Sequence, residues 1–199
     1  YLKKQKTSSL VIPMKYGVIS GGKKIRSTVI FSAGKIFNLS SKKLINICAA
    51  VECIHSYSLI HDDLPCMDDD AVRRGKPSTH IKFGEASAVL AGNSLLTLAF
   101  EIIADPNYLI NPKSKNEIIK SLAFCSGHTG IAGGQELDLK FENKKKKLNQ
   151  IINMQIKKTG KLFNFCIQSV AIVANKNKNK KISLGKLGEQ IGLLFQLAD

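Results

Sequence analysis

The chain has 199 residues, 44% of them hydrophobic, and a formal net charge of +15. That length supports one sizeable core, and the hydrophobic content is typical of soluble globular proteins. No stretch approaches the roughly 18 uninterrupted apolar residues of a membrane span, because Asn93 and Glu101 interrupt the most apolar region, 86–103. The first residues also lack the apolar segment of a signal peptide. We therefore expect a single cytoplasmic domain, 1–199, without a membrane span.

Composition also argues against two classes of ligand. Eight of the 30 basic residues lie in two runs, 144–147 and 175–181, which contain no aromatic residue. Such runs indicate solvated loops rather than a nucleic-acid surface, where stacking aromatics are expected. The five cysteines form no CxxC pair, which indicates reduced thiols and gives no zinc-site spacing; they are Cys48, Cys53, Cys66, Cys125 and Cys166.

Apolar residues recur at helical spacing along nearly the whole chain. Residues 1–20 are predicted to hold the end of a helix and a loop around Pro13 and Gly17. A polar loop is predicted at 66–80, and a short helix after Gly133 and Gly134. Longer helices are predicted at 23–37, 42–61, 85–104, 114–127, 148–174 and 183–198. Because no strand-like alternation is apparent, the sequence predicts an all-α bundle of long helices.

A carboxylate-rich stretch follows the helix predicted at 42–61. Five aspartates lie within nine residues, and an Arg73–Arg74–Gly75 turn comes directly after them: Asp62, Asp63, Asp68, Asp69 and Asp70. Carboxylates repel one another unless cations neutralise them. Carboxylate oxygens suit Mg²⁺, and guanidinium groups suit phosphate. Pro65 is expected to bend the chain so that Asp68 returns toward Asp62. The stretch therefore predicts a site for a diphosphate carrying Mg²⁺.

Basic residues and a histidine offer further contacts for an anion. Lys23 and Arg26 follow Gly21–Gly22 at the start of a predicted helix, where free N–H groups and two cations favour phosphate. Taken alone, this pattern is also that of solvated side chains. His55 lies seven residues before Asp62 on one helical face, about 10.5 Å along the axis. A lone helical histidine is, however, more often a core residue.

The segment Lys158–Thr159–Gly160 lies inside a predicted long helix. Gly160 weakens a helix by roughly 1 kcal/mol relative to Ala, so it marks either a kink that exposes a carbonyl or a tolerated glycine. Asp199 ends the last helical stripe, from which its carboxylate could face Asp62. The chain starts at Tyr1 rather than a methionine and stops at Asp199 within a helical pattern, so we expect the protein to be longer at both ends.

Six motifs in order resemble those of the trans-isoprenyl diphosphate synthases, most closely the bacterial farnesyl-forming type. They are GGKxxR, ECIHxYSLIHDDLPxMDDDxxRRGxPxxH, KFGEAxAxLAG, GGQxLDL, KTG and GLLFQxxD, and they span essentially the whole chain. The resemblance implies a helical bundle of the isoprenoid-synthase type around a central apolar tunnel. It also implies head-to-tail transfer of an allylic diphosphate (dimethylallyl or geranyl) onto isopentenyl diphosphate, with three Mg²⁺ ions that Mn²⁺ can replace, in a homodimer.

The resemblance also assigns roles to individual residues. It implies metal ligands at Asp62, Asp63, Asp68 and Asp199. It implies that isopentenyl diphosphate is bound by Lys23, Arg26, His55 and Arg74. Contacts with the allylic diphosphate are implied for Arg73, Lys158, Thr159 and Gln196, of which the catalytic residues are Arg73, Lys158 and Thr159.

Product length is implied to depend on Tyr57 and Ser58, which precede the first aspartates. Tyr57 lies about 7.5 Å down the helix axis from Asp62, at the place where an aromatic side chain blocks the tunnel in farnesyl-forming members. On helical geometry it points about 140° away from Asp62, so the assignment depends on the resemblance. The DDxxxxD spacing, Asp62–Asp68, is also that of the bacterial short-chain type. We expect farnesyl diphosphate, with geranylgeranyl diphosphate as the alternative.

The sequence departs from the family pattern at two positions, and it leaves alternative functions open. Lys24 and Ser27 replace an arginine and a proline that are usual in the family. A terpene cyclase or a head-to-head synthase would share the fold and the metal site but would not need an isopentenyl diphosphate pocket. An inactive regulatory subunit is expected to have lost the aspartates or arginines, which are present here. A basic helical nucleic-acid binder is disfavoured by the aromatic-free lysine runs.

Overall fold

The computed structural model describes residue 2, residues 8–19 and residues 21–198, and most of this part is helical. Its α-helices are α1 Val11–Ile19, α2 Ile25–Ile36, α3 Ile45–Asp62, α4 Thr79–Phe83, α5 Glu85–Ala104, α6 Pro112–Ser126, α7 Ile131–Phe141, α8 Leu148–Gln155, α9 Lys161–Val173 and α10 Lys178–Ala198. A π-helix, Ile156–Gly160, joins α8 to α9, and a 3₁₀-helix, Ser41–Lys43, precedes α3. The predicted all-α fold is confirmed.

The loop predicted around Pro13 and Gly17 is wrong, and the loop predicted at 66–80 is only partly correct. The helix α1 runs straight through Pro13 and Gly17. Pro13 is the third residue of the helix, where backbone N–H groups have no intrahelical partner, so the missing proton has no consequence. Gly17 packs against α3, since a Cβ there would lie 2.5 Å from Cδ1 of Ile60. A small side chain is therefore required where the sequence suggested a break.

The polar segment 66–80 is the second place where the structure differs from the prediction. It contains a short antiparallel hairpin, β1 Val72–Arg73 and β2 Lys76–Pro77, in which Val72 pairs with Pro77 and Arg73 pairs with Lys76. The turn residues Arg74 and Gly75 have φ of 53° and 73°. Two positive φ values are what a two-residue hairpin of type I′ requires. Apolar alternation could not reveal a hairpin of this length.

The chain divides into two compact units, with unit 1 formed by Tyr1–Lys24 and Ala49–Ile102. Its core consists of apolar side chains of α3 and α5 with no exposed surface: Val51, Ile54, Ala88, Ala91 and Leu95. In the same unit, Tyr16 of α1 makes an edge-to-face contact with Phe83 of α4 at 5.3 Å and donates a 2.7 Å hydrogen bond to the carbonyl of Pro77. These contacts attach α1 to the end of the hairpin.

Unit 2 comprises Ile25–Cys48 and Ile103–Asp199, and α9 lies at its centre, packed on α2, α6 and α10. Phe163 and Phe165 of α9 are fully buried, and burial of such a side chain stabilises a fold by about 1.5–3 kcal/mol. The helix α10 approaches α9 closely, because a Cβ at Gly188 would lie 2.4 Å from the carbonyl oxygen of Phe163. Glycine at this position therefore permits backbone-to-backbone packing.

The start of α10 differs from the prediction. It begins at Lys178, five residues before the predicted start, so the second lysine run is partly helical rather than a solvated loop. The Asn177 side chain accepts a 2.9 Å hydrogen bond from the N–H of Lys180, which satisfies a free donor of the first turn. Lys181 pairs with Glu117 of α6 at 2.6 Å. The asparagines that suggested a loop thus include a helix cap.

In the described part of the chain, α5 alone is long and apolar enough to cross a membrane by length and composition. Of its most apolar window, 44% is buried inside the protein, as is common for core helices. Four cysteines are buried free thiols, and Cys66 is exposed.

Candidate functional site

The end of α3 brings two of the predicted metal ligands close together. The helix ends at Asp62, and the chain turns back through Pro65. The backbone N–H of Asp68 donates a 2.8 Å hydrogen bond to the carbonyl of Asp62, and the N–H of Asp69 donates to the carbonyl of Leu64 at 3.2 Å. Asp68 therefore returns to the helix end, as the proline bend predicts.

The donor chemistry at this point fits a divalent cation that is shared with a substrate. Among the described residues no three His, Cys, Asp or Glu side chains are grouped closely enough to hold a metal by themselves. Mg²⁺ is usually bound by one or two carboxylates together with waters and substrate phosphate oxygens, which matches the pair Asp62 and Asp68. Asp199 lies outside the described residues. The metal role of these aspartates stays a prediction.

Arg73 lies on β1 and is held by two carboxylates. Its Nε donates to Oδ1 of Asp63 at 2.9 Å, and its Nη2 pairs with the same oxygen and with Oδ2 of Asp70, the latter at 2.9 Å. Asp63 is buried, with 2% of its surface exposed. The hydrogen bonds that Arg73 donates to Asp63 raise the pKa of Arg73 above its ordinary value, so the guanidinium stays charged. The sequence did not indicate that Asp63 pairs with Arg73.

Arg74 is held differently, by the backbone of the Gly21–Gly22 turn. Its Nη1 donates a 2.6 Å hydrogen bond to the carbonyl of Gly21. A Cβ at Gly22 would lie 2.7 Å from Cζ of Arg74, and the two glycines have φ of 97° and 104°. The glycine pair therefore leaves room for the Arg74 guanidinium and supplies its acceptor, a role that the sequence pattern did not indicate.

The two lysines after the glycine pair have different surroundings. Lys24 pairs with Glu52 at 3.2 Å and donates a 2.9 Å hydrogen bond to the carbonyl of Val18. Lys23 is exposed and forms no hydrogen bond or ion pair within the described residues. Of these two lysines, Lys23 is therefore the one whose ammonium group is open to solvent, and its role toward a ligand stays a prediction.

The aromatic and histidine side chains of α3 are largely packed. Tyr57 is buried and lies edge-to-face with His61 at 5.7 Å. Burial and, to a lesser extent, the charge of Asp62 raise the pKa of Tyr57 to about 12. His61 approaches the carbonyl of Val89 at 3.1 Å and belongs to the packing of α3 on α5. Ser58 donates to the carbonyl of the half-buried His55 at 3.0 Å.

In unit 2 the segment Lys158–Thr159–Gly160, for which the sequence left a kink and a tolerated glycine open, lies in a π-helix. Single π-turns inside α-helices are frequent at functional sites. The backbone of α7 approaches this turn closely, since a Cβ at Gly134 would lie 2.2 Å from the backbone nitrogen of Lys158. On another side, a Cβ at Gly192 would lie 2.7 Å from Cα of Gly160. Glycines of two other helices thus enclose the π-helix.

Three of the predicted allylic-site residues are brought together here. Thr159 donates a 2.9 Å hydrogen bond to Oε1 of Gln196, and Lys158 pairs with Oδ2 of Asp138 at 2.5 Å. In the sequence Asp138 was only a polar residue beside an apolar pattern, so its pairing with Lys158 was missed. Arg26 lies over the ring of Phe163, 5.0 Å from its centroid, in the same unit.

Two groups of candidate site residues are therefore present, one in each unit. The hairpin cluster of unit 1 consists of Asp62, Asp63, Asp68, Asp70, Arg73 and Arg74. The π-helix cluster of unit 2 consists of Asp138, Lys158, Thr159 and Gln196. Each combines a cationic side chain with oxygen groups that hold it in place, an arrangement suited to binding a phosphorylated ligand.

Comparison with known proteins shows the family of this chain. The Polyprenyl synthetase family model matches residues 7–199, and this chain belongs to that family. The chain is 44% identical over 192 residues to the farnesyl diphosphate synthase of Escherichia coli, covering 96% of this chain and 64% of that protein. It thus spans somewhat less than two thirds of the length of that curated relative.

Solved structures show the same fold. An FPP/GFPP synthase from Zymomonas mobilis superposes with a TM-score of 0.91 at 43% identity, covering 96% of this chain and 69% of that one. A geranyltransferase from Legionella pneumophila gives a TM-score of 0.93 at 35% identity, covering 100% and 71%. The predicted isoprenoid-synthase fold is therefore confirmed, and membership of the family implies a divalent metal cofactor.

Proposed function

We propose that this protein is a short-chain trans-prenyltransferase that joins an allylic diphosphate head-to-tail to isopentenyl diphosphate and releases farnesyl diphosphate. The observation that carries the proposal is the separate fixing of two adjacent arginines. Carboxylates hold Arg73, whereas the Gly21 carbonyl holds Arg74. A reaction that brings together two diphosphates needs two anion sites, and a cyclase or hydrolase acting on one diphosphate does not.

The residues of the two clusters suit the charge that develops in such a reaction. When the allylic C–O bond breaks, negative charge grows on the departing diphosphate, and fixed cations stabilise that charge. By resemblance, Arg73 and Lys158 are the cations assigned to this diphosphate. A divalent ion held by Asp62 and Asp68 would supply Lewis-acid stabilisation of the leaving group. By resemblance, isopentenyl diphosphate is assigned to Lys23, Arg26, His55 and Arg74. Its double bond attacks the allylic carbon as the C–O bond to the diphosphate breaks, and the resulting cation then loses a proton to the departed diphosphate.

Product analysis on the full-length protein tests this function. We expect farnesyl diphosphate from dimethylallyl and isopentenyl diphosphates with Mg²⁺, and no product when EDTA is added. Incubation with dimethylallyl diphosphate alone is the discriminating control. A cyclised or hydrocarbon product in that control would identify a cyclase or head-to-head synthase and refute the proposal. Absence of any turnover would favour a regulatory subunit.

The product length rests on Tyr57, which is 8% exposed on α3. Its bulk is proposed to stop chain growth at C15, with the neighbouring Ser58 as a second determinant. The alternative product is geranylgeranyl diphosphate. Replacement of Tyr57 by Ala is expected to shift the chromatographed product to C20 or longer, while Ser58→Ala shifts it less. An unaltered C15 product from the Tyr57 variant would remove the chain-length assignment.

The remaining proposals concern metal count, assembly and location. Three Mg²⁺ ions, replaceable by Mn²⁺, are proposed per active site, with Asp199 as a further ligand by resemblance. A cytoplasmic homodimer without a membrane span is proposed, and two exposed apolar side chains of α5 support an apolar contact: Val89 at 38% and Leu90 at 51%. Light scattering of wild type and of the Leu90→Glu variant tests the dimer.

A further inference from the structure

Asp63 differs from the other aspartates of the loop in its burial. It is 2% exposed, whereas Asp68, Asp69 and Asp70 are all exposed. An ionised carboxylate removed from water is costly unless a cation and hydrogen bonds compensate it. Arg73 supplies both, through Nε and Nη2. The burial of Asp63 therefore has a specific partner, and that partner is a residue of the proposed diphosphate site.

The contacts of Arg73 leave one edge of its guanidinium uncommitted. A guanidinium has five N–H donors, of which Nη1 carries two. Nε and Nη2 are occupied by Asp63, and Nη2 also contacts Asp70. Within the described residues Nη1 forms no hydrogen bond. The two carboxylates thus bind one edge of the Arg73 guanidinium, and its Nη1 edge is left for an oxyanion.

We propose that Asp63 is a positioning residue that fixes the guanidinium of Arg73 so that its Nη1 edge binds the allylic diphosphate. The inference rests on the proposed function, and it gives Asp63 a task distinct from metal binding. A side chain that is held before the ligand arrives loses less freedom on binding, so affinity for the diphosphate rises. Asp62 and Asp68 remain the metal ligands of the hairpin cluster.

The Asp63→Asn variant of the full-length protein tests this inference. Asn preserves size and removes the charge, and Arg73 can still reach water because its side chain is 34% exposed. The matched control is Asp69→Asn, which removes the same charge in the same loop. Asp69 forms no side-chain hydrogen bond or ion pair with Arg73, and its φ of 52° is a conformation that Asn adopts readily.

The expected result is a selective loss of allylic diphosphate binding. In Asp63→Asn we expect KM for the allylic diphosphate to rise about tenfold or more, with KM for isopentenyl diphosphate and the Mg²⁺ concentration for half-maximal rate within about threefold of wild type. Asp69→Asn should leave all three within about threefold. In an Arg73→Gln background, Asp63→Asn should have no additional effect, since the group it positions is gone.

Two results would overturn the inference. One is a raised Mg²⁺ requirement with an unchanged allylic KM, which would make Asp63 a metal ligand. The other is wild-type behaviour of Asp63→Asn. Circular dichroism checks folding, and Asp63→Glu, which keeps the charge but displaces it, carries the same test if the Asn variant is unfolded.

Calorimetric titration of inorganic pyrophosphate with Mg²⁺ separates this inference from the proposed function. Weaker pyrophosphate binding by Asp63→Asn than by Asp69→Asn supports the positioning role even if the wild-type protein forms no prenyl product. Equal binding by the two variants overturns the positioning role, whatever product the wild-type protein forms.

Discussion

The hairpin cluster and the π-helix cluster each pair a cation with a carboxylate, but different kinds of backbone carry that cation. Arg73 and Arg74 are fixed by carboxylates and by a backbone carbonyl in a segment rich in turns. Lys158 belongs to a helix with a π-turn, and glycines of α7 and α10 pack against that turn. In the first cluster irregular backbone places the charges, and in the second the packing of helices does.

The two regions also differ in where conformational strain lies. Asp69 and Arg74 have φ of 52° and 53°, and a non-glycine residue in this region is unfavourable by about 1–3 kcal/mol. The ion pairs and the hairpin compensate this strain in unit 1. Beside the π-helix the constraint on the chain is steric, because Gly134 of α7 has no room for a methyl group. Ligand contacts should therefore be sensitive to mutation in the hairpin, and fold stability in the π-helix.

The largest effect is expected from removing charges of the hairpin cluster. Asp62→Ala and Arg73→Ala should each lower kcat by about 10²–10³ or more, because each removes stabilisation of the leaving diphosphate. Steady-state kinetics on the full-length protein measures this. Arg73→Ala should also reduce the melting temperature by several degrees, since it leaves the buried Asp63 without its cation, at roughly 2–3 kcal/mol. Wild-type rates in both variants would exclude this site.

The next effect concerns the Gly21–Gly22 turn, which holds the Arg74 side chain. Gly22→Ala places a methyl group 2.7 Å from the guanidinium carbon, whereas a Cβ at Gly21 meets nothing within 4 Å. Both residues have positive φ, so Gly21→Ala carries the same kind of backbone strain without the clash. We expect KM for isopentenyl diphosphate to rise roughly tenfold in Gly22→Ala relative to Gly21→Ala. Equal KM values for the two variants would mean that the close approach of Gly22 has no part in positioning Arg74.

The packing of α7 against the π-helix is tested most sharply by Gly134→Ala. The added methyl would lie 2.2 Å from the backbone nitrogen of Lys158, and backbone cannot move aside as a flexible side chain can. Overpacking of this kind costs about 1–3 kcal/mol. Gly160→Ala, whose Cβ would meet the Glu189 carbonyl oxygen at 3.2 Å, should cost less. Thermal melts compare the two variants, and a larger loss in Gly160→Ala would contradict the packing described for Gly134.

The smallest effect is a loss of stability at high pH. Burial raises the pKa of Cys53 in unit 1 and of Cys125 in unit 2 from 9.0 to about 12. A raised pKa in the folded state means that stability is complete below pH 9 and declines as pH rises toward 12, because the unfolded thiols ionise first. Urea denaturation between pH 7.5 and 10.5 should show this decline, and Cys125→Ala should reduce its slope. A flat profile would indicate that these thiols are not desolvated.

Much of the fold followed from local sequence pattern. The predicted bounds of α5 coincide with the structure, since its apolar period and the following Asp105–Pro106 specify both the helix and its end. The return of Asp68 to Asp62 followed from Pro65. Three features were missed: the short helix α4, the hairpin and the helical course of α1. Five-residue helices and two-residue strands carry too little periodicity to recognise. In α1 the residues Pro13 and Gly17 suggested a loop.

The sequence by itself determined the helical class, the spacing of the aspartates and arginines, and the residues of the family's motifs. Tertiary structure alone decided the partners: Asp63 for Arg73, the Gly21–Gly22 turn for Arg74, and Asp138 for Lys158. The reason is physical. Helical periodicity and turn chemistry act over a few residues, whereas these pairs join segments 10, 53 and 20 residues apart along the chain. Which charges meet is therefore set by how the elements pack.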